Sequence, residues 1–414
     1  MLFQSLAVLT LLAFNAIHDT QLISLKAHQE ELTAEEADKE IERILTDYSQ
    51  GSELSTSLCF FVSEVMGINQ NDLKIEGILS GGSGDSTYRV LDSKTSQALF
   101  IVKSYRENSQ NYLPEIFSLE FLKQAQIDHF STPNLLGVGK CSVGNICYFL
   151  LLESLAPGRC LGDLCHDVAK HPPYSRDRDQ SFDILLKGVR ACGKSLAELH
   201  SHLQGKESPL SDKVKKIIHR DLEATIEELG SHPEIGVDLE KLRKYIEFTI
   251  QNLDFEPHPP AFTYGDVKWM HAFFDPNSNS VTWIDPPTLS LSIGNKGEPV
   301  GMSTRDFYAF MSEMDHRRVQ VYLNEAQEVD QREFLLKTEV ETLKEAFQSE
   351  YQKGGGSLPT PRQIEFGSLL YELRFISWMS ADITPAYPEP TKTALEQRRE
   401  KIFAKLKSKA NSMP

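Results

Sequence analysis

Between Leu73 and Leu152 the chain is written in short β-prone runs punctuated by Gly, Asp and Ser, and beyond Leu155 it turns almost wholly helical. That change of period, from two residues to 3.6, most constrains the fold. The spacing predicts strands at 75–79, 87–91, 99–104 and 148–152, with one helix at 114–126 among them. After Leu155-Ala-Pro-Gly158, apolar residues recur at helical spacing in Val189, Cys192, Leu196, Leu199 and Leu203, then in Val214, Ile217, Ile218, Ile226 and Leu229. Further helices are expected over 239–253, 303–323, 331–352, 362–380 and 391–410, with a clear break at Lys353-Gly-Gly-Gly-Ser-Leu-Pro-Thr-Pro361. Strands first and helices after give an α+β fold in two lobes: a small sheet lobe with one helix at 71–155 and a larger helical lobe at 156–414. No internal repeat is visible.

Thr33-Ala-Glu-Glu36 reads as a capping box opening an amphipathic helix with Ile41, Ile44, Leu45 and Tyr48 on one face, so 31–70 is expected to be a helical extension. Residues 1–30 begin with the apolar run 6–14, too short to span a bilayer. It resembles the core of a secretory signal, yet no Lys or Arg precedes Lys26; a helix packed on the body is the other reading. Cytoplasmic and secreted locations therefore both stay open, with no transmembrane span expected.

At 414 residues the chain is long enough for more than one packed lobe, and its 40% hydrophobic and 25% charged residues are those of an ordinary globular protein. Its 43 basic and 59 acidic residues give 43 − 59 = −16, which disfavours nucleic acid as a partner and is compatible with a cationic small molecule. Six cysteines do not make a disulfide scaffold. Cys141 and Cys147 flank a predicted hairpin turn and are expected to face each other across strands; Cys160 and Cys165 share that separation. Both pairs are read as small core residues in a reducing compartment, or as candidates for oxidation in a secreted chain.

Two acids carry the chemistry. Asp266 stands in Thr263-Tyr-Gly-Asp-Val-Lys-Trp-Met-His271, and Asp285 follows 285 − 266 = 19 residues later in Val281-Thr-Trp-Ile-Asp285. The interval fits two short strands, 271–275 and 281–284, around the turn Pro276-Asn-Ser-Asn-Ser280. An acid on a tight loop, then a hairpin, then a second acid at a strand end suits phosphoryl transfer: one carboxylate orients a hydroxyl and the other holds the Mg²⁺ that bridges nucleotide phosphates.

Upstream, Gly81, Gly82, Ser83 and Gly84 sit between two predicted strands. A loop with so few Cβ atoms lets backbone N–H groups approach phosphate oxygens. It lacks the Gly-Lys-Ser/Thr ending of a P-loop and leads into a strand, so neither a P-loop nor a dinucleotide fold fits, and an ordinary hairpin remains the plain alternative. Lys103 ends the apolar run Phe100-Ile-Val-Lys103, where an ammonium can meet α- and β-phosphates if an anion holds it. The next helix offers Glu115 and Glu120, which cannot both face the same way; Glu115 starts the apolar pattern Ile116, Leu119, Leu122 and is the chosen partner. His219-Arg220-Asp221-Leu222 spells a kinase catalytic loop but lies inside an amphipathic helix, with Ile226 where Asn is required, and is set aside.

In order, Ser80-Gly-Gly-Ser-Gly-Asp-Ser-Thr-Tyr-Arg-Val90, Phe-Ile-Val-Lys103, Leu-Leu-Leu-Glu153-Ser-Leu-Ala-Pro-Gly158, Ala197-Glu-Leu-His200, Tyr-Gly-Asp266 and Trp-Ile-Asp285 resemble the aminoglycoside phosphotransferase/choline kinase superfamily, a branch of the protein-kinase-like fold, over about residues 70–315. The resemblance implies ATP and Mg²⁺ as cofactors, ATP between the lobes, and a backbone hinge at 152–155 that reads adenine, with Glu153 and Leu155 as its named residues. It implies Asp266 as the catalytic carboxylate that accepts the proton from, or simply orients, the acceptor hydroxyl, Lys268 as a charge beside the transferred phosphate, Asp285 as metal ligand, and Asp306 as the acid that braces the catalytic loop. The acceptor it implies is a hydroxyl of an amino sugar, amino alcohol or sugar.

The family pattern is His-Gly-Asp-x-x-x-x-Asn. Here Tyr264 replaces the His and His271 replaces the metal-binding Asn, putting imidazole nitrogen where a hard ion prefers oxygen. A catalytically impaired binding protein and a secretory-pathway protein kinase are the alternatives that this departure and the N-terminus leave standing.

Overall fold

The computed structural model describes residues 34–411, together with Thr20 and Lys26, apart from 81–84, 108, 110, 204–211, 232, 234–235, 254–258, 295, 324–328, 334 and 381–388. The apolar run at 6–14, Thr33 of the expected capping box, and Gly81, Gly82, Ser83 and Gly84 lie outside the described residues.

In chain order the elements are α1 (Ala34–Ile44), α2 (Leu54–Met66), β1 (Leu73–Ser80), β2 (Ser86–Asp92), β3 (Ala98–Arg106), α3 (Tyr112–Ala125), β4 (Leu135–Val143), β5 (Ile146–Ser154), β6 (Arg159–Cys160), α4 (Leu161–Ala169), α5 (Arg176–Ser201), α6 (Asp212–Ser231) and α7 (Leu239–Leu253). They continue with β7 (Ala272–Asp275), β8 (Ser280–Trp283), α8 (Ser303–Arg318), β9 (Val319–Leu323), β10 (Val329–Glu333), α9 (Lys337–Lys353), α10 (Pro361–Ser380) and α11 (Glu389–Asn411). The chain divides into two compact units. The first holds Met1–Gln126, Ser131–Ala156 and Trp283–Ser290; the second holds Ile127–Phe130, Pro157–Thr282 and Leu291–Pro414. The fold is α+β, and the boundary near 156 is crossed back by the short stretch that carries Asp285.

The first unit is built on an antiparallel sheet of order β1-β2-β3-β5-β4. Strand alternation sends Phe149 and Leu151 to one face, where they pack with Tyr105, Tyr112, Ile116 and Leu119, and with Ala37 and Ile41 of α1. Leu150 and Leu152 point the other way, onto Val90, Val102 and the α2 residues Leu58, Phe61 and Val62. Both faces of β5 are thus dry, which is why its sequence is a continuous apolar run rather than an alternation. Each fully buried Leu, Ile or Phe here contributes about 1.5–3 kcal/mol.

Of strand β4 only the end at Cys141, entering the predicted hairpin turn, was expected. Its glycines and Lys140 hide the β pattern, and the reason for one of them is steric: a Cβ on Gly139 would lie 2.6 Å from the Tyr48 ring. The register also corrects the cysteines. Cys141 lies opposite Tyr148, and Cys147 opposite Ser142, so the two thiols fall on opposite faces of the hairpin and are not joined to each other.

In the second unit, α5 packs along α9, and Phe310 of α8 stacks on Phe347 of α9 with centroids 4.4 Å apart. A separate core joins Leu222 (α6), Ile246 (α7), Leu373 (α10) and Leu406 (α11). Two helices expected from the sequence are shorter than predicted. Helix α8 stops at Arg318, and Val319-Gln-Val-Tyr-Leu323 pairs with Val329–Glu333 as a hairpin, because apolar residues at every second position fit a strand. Segment 159–188 is mostly β6, α4 and the start of α5. Among the described residues no helix is long and apolar enough to cross a membrane.

Candidate active site

The first unit assembles a charged cluster. Register pairs Lys103 of β3 with Leu151 and Ile101 with Glu153 of β5, so Lys103, Tyr105 and Glu153 share the face covered by α3. Glu115, in the first turn of α3, meets that face: its carboxylate takes the Lys103 ammonium and the Tyr105 hydroxyl. Glu120 is buried too, but lies 3.6 Å from Lys123 instead, as the helical spacing required. Lys103 Nζ is also 2.5 Å from Asp285 Oδ1 and 3.2 Å from Glu153 Oε2. One ammonium, with three N–H donors, therefore faces three carboxylates.

Burial alone would lower the Lys103 pKa, but Asp285, Glu115 and Glu153 outweigh it and hold it well above the ordinary amine value. Burial pushes the Glu115 and Glu153 carboxyls up, against the pull of Lys103. Asp285 is different: its side chain is 38% exposed, and its backbone sits at φ +58°, a left-handed conformation uncommon outside Gly and frequent where function constrains a residue.

The second unit builds the other acid. Thr263-Tyr264-Gly265 approaches Asp306, a fully buried carboxylate on α8. The Tyr264 N–H donates to Asp306 Oδ2 at 2.5 Å and the Gly265 N–H to Oδ1 at 2.8 Å. His200 of α5 adds Nε2 at 3.2 Å from Oδ2, while its Nδ1 lies 2.7 Å from the Tyr351 hydroxyl of α9. With a carboxylate accepting at Nε2, the tautomer follows: Nε2 carries the proton and Nδ1 accepts from Tyr351. Three elements thus fix one loop through a buried acid.

Gly265, at φ +83°, turns the chain so that Asp266 follows the brace. Asp266 is 37% exposed at its side chain; Lys268 Nζ donates to its Oδ2 at 2.9 Å, and His271 Nδ1 stands 3.6 Å from the same oxygen. Burial raises the Asp266 carboxyl, yet Lys268 and His271 outweigh it, with Arg305 adding to them, and bring it down to about 2. Asp266 is therefore ionised at neutral pH, and a base that weak suits orienting a hydroxyl better than holding its proton. His271 Nδ1 is 3.1 Å from the Asp266 carbonyl oxygen, which only accepts, so this nitrogen carries a hydrogen.

Asp285 suits Mg²⁺, an ion commonly held by one or two carboxylates together with substrate phosphates. His271 offers nitrogen and suits a softer ion. Among the described residues no group of three His, Cys, Asp or Glu side chains is gathered as a complete protein cage.

The structure brings Lys103, Glu115 and Asp285 together, with Glu153 added through its side chain; Asp266, Lys268 and His271 form a second group in the second unit. The Glu153 backbone, expected at the hinge, stands in the ladder opposite Ile101 and Leu135. Leu155 is partly exposed directly after β5. Tyr105 was missed, although its position two residues beyond Lys103 put it on the same strand face. The His219-Arg220-Asp221 triplet lies within α6, with Asp221 bonded to Arg220.

No family model matches this sequence, and no curated protein matches it significantly. Among solved structures, a glucosamine kinase superposes with a TM-score of 0.52 at 13% identity, covering 86% of this chain and 84% of that one. An amicoumacin kinase in complex with AMP-PNP and Ca²⁺ gives 0.44 at 10% identity, over 82% and 89% of the two chains. A macrolide 2′-phosphotransferase gives 0.40 at 11% identity, over 87% and 99%. The first of these fixes the shared fold.

Proposed function

With a kinase-like fold as the premise, we propose that this chain is an ATP-dependent phosphotransferase acting on a hydroxyl of a small molecule, of the amino sugar, amino alcohol or sugar class. The observation that carries the reading is Lys103, held by buried Glu115 on one side and by the more exposed Asp285 at 2.5 Å on the other. An ammonium so fixed is a ready partner for α- and β-phosphate oxygens, and Asp285 is the acid that would hold Mg²⁺. Mg²⁺, when bound, supplies positive charge to the phosphate oxygens.

Asp266 orients the acceptor hydroxyl and Lys268 keeps positive charge beside it. The backbone after β5, at Leu155, reads the base. The acceptor class follows from two supports: the net charge of −16, which favours a cationic partner, and the fold shared with a protein named glucosamine kinase. Purified protein incubated with Mg²⁺-ATP and a panel of amino sugars, choline-like amines and sugars should transfer phosphate to at least one, and Asp266→Ala should abolish the transfer. Nucleotide that gives no thermal stabilisation at all contradicts the reading.

His271 favours a second reading, a nucleotide-binding protein with impaired catalysis. A large gain of turnover in His271→Asn over a feebly active wild type supports it; a highly active wild type dismisses it.

A further inference from the structure

Glu153 is placed where the surrounding pattern calls for an apolar side chain. On its face of β5 the preceding residues are Phe149 and Leu151, both in the core against α3. Its side chain is only 2% exposed, its Oε2 lies 3.2 Å from Lys103 Nζ, and its Oε1 is buried with no hydrogen-bond partner. A buried acceptor left bare weakens a fold, and Lys103 already has a buried anion in Glu115. Stability does not account for the second acid. Orientation does.

We infer that Glu153 is a second positioning residue for Lys103, fixed in the sheet, which holds the ammonium in direction independently of Glu115. The consequence for nucleotide rests on the phosphotransferase reading above; the holding of the amine does not. The two acids are mounted differently. Glu115 rides on α3, a helix that packs on the sheet through side chains, whereas Glu153 belongs to a strand with a hydrogen-bonded neighbour on each side. An ammonium has three donors. With one carboxylate bound it still swings about that bond; with two bound, the direction of the third N–H is set. That third donor is the one now given to Asp285, and it is the one available to a phosphate oxygen once Asp285 turns to a metal. Pre-set direction of this kind lowers the ordering that binding must supply.

Full-length Glu153→Gln, Glu115→Gln and the double variant test this, with Glu153→Leu as a second form that fills the volume without charge. Glu153→Leu should fold with a thermal midpoint equal to or above wild type, since a buried carboxyl oxygen without a hydrogen-bond partner is removed, and Glu153→Gln should remain folded. Each should raise KM for ATP or lower kcat about tenfold while leaving KM for the acceptor unchanged. The double variant should lose less than the product of the two single losses, because removing either acid already leaves the ammonium free to swing. Labelling of Lys103 by an amine-reactive ester, followed by mass spectrometry without nucleotide, should rise several-fold in Glu153→Gln. Unchanged labelling and unchanged ATP kinetics in folded Glu153 variants, or single losses that simply multiply, would overturn the inference. If wild type binds no nucleotide, the phosphotransferase reading falls, and the labelling result still decides whether Glu153 holds the amine.

Discussion

The Gly265 backbone N–H donates to Asp306 Oδ1 at 2.8 Å, across 41 residues of sequence, and the neighbouring Tyr264 N–H takes the other oxygen of the same buried carboxylate. Two adjacent loop amides are thereby satisfied by one side chain, which fixes the backbone from which Asp266 projects. Asp306→Asn keeps the size but loses the charge and one acceptor. It should cost about 3 kcal/mol in urea unfolding, in the range for disrupting a buried charged network, and should lower kcat more than 100-fold. An active, equally stable Asp306→Asn would show that the loop holds itself.

Lys268 and His271 depress the Asp266 carboxyl to about 2. A depressed acid contributes stability that is present above its unfolded value, 3.8, and is lost as pH falls toward 2. In Lys268→Met the depression should shrink, so that the acid limb of the pH–rate profile moves up toward 3.8. A limb unmoved by the substitution would mean that another group sets it.

Glu115 and Glu153 shift the opposite way, because burial raises them above 4.5. Their folded forms hold protons that the unfolded chain has released. Their contribution is complete below pH 4.5 and declines as pH rises through their raised folded values. Thermal midpoints measured from pH 4.5 to 8 should fall less steeply in Glu153→Gln than in wild type. Parallel curves would assign the slope elsewhere.

His271 should show itself through the metal. With imidazole nitrogen in place of an amide oxygen, Mn²⁺ or Co²⁺ should support turnover better than Mg²⁺ in wild type, and His271→Asn should reverse that order. Identical metal preference in both proteins would remove His271 from the metal's surroundings.

Much of this was legible in the sequence, for identifiable reasons. Lys103 and Glu115 follow from strand alternation and helical spacing, and both rules act locally. The pairing of Lys103 with Asp285 spans 182 residues, and nothing local to either residue announces it. Glu153 was read through its backbone, because nothing in Leu-Leu-Leu-Glu-Ser says which face the strand will present until its register with β3 is known. Strand β4 showed only at its Cys141 end because its glycines serve Tyr48 and α2 rather than the β pattern, and the β9–β10 hairpin escaped because two helical runs flank it. Tyr351 is invisible from sequence as a partner of His200, since the contact joins α5 to α9 through tertiary packing alone.

The most direct test of the central claim is titration of Mg²⁺-ATP into wild type, Lys103→Met and Asp285→Asn, followed by calorimetry. Saturable binding in wild type, weakened at least tenfold in each variant while all three remain folded, is the predicted result. Equal binding in all three proteins, or none in wild type, would contradict the account.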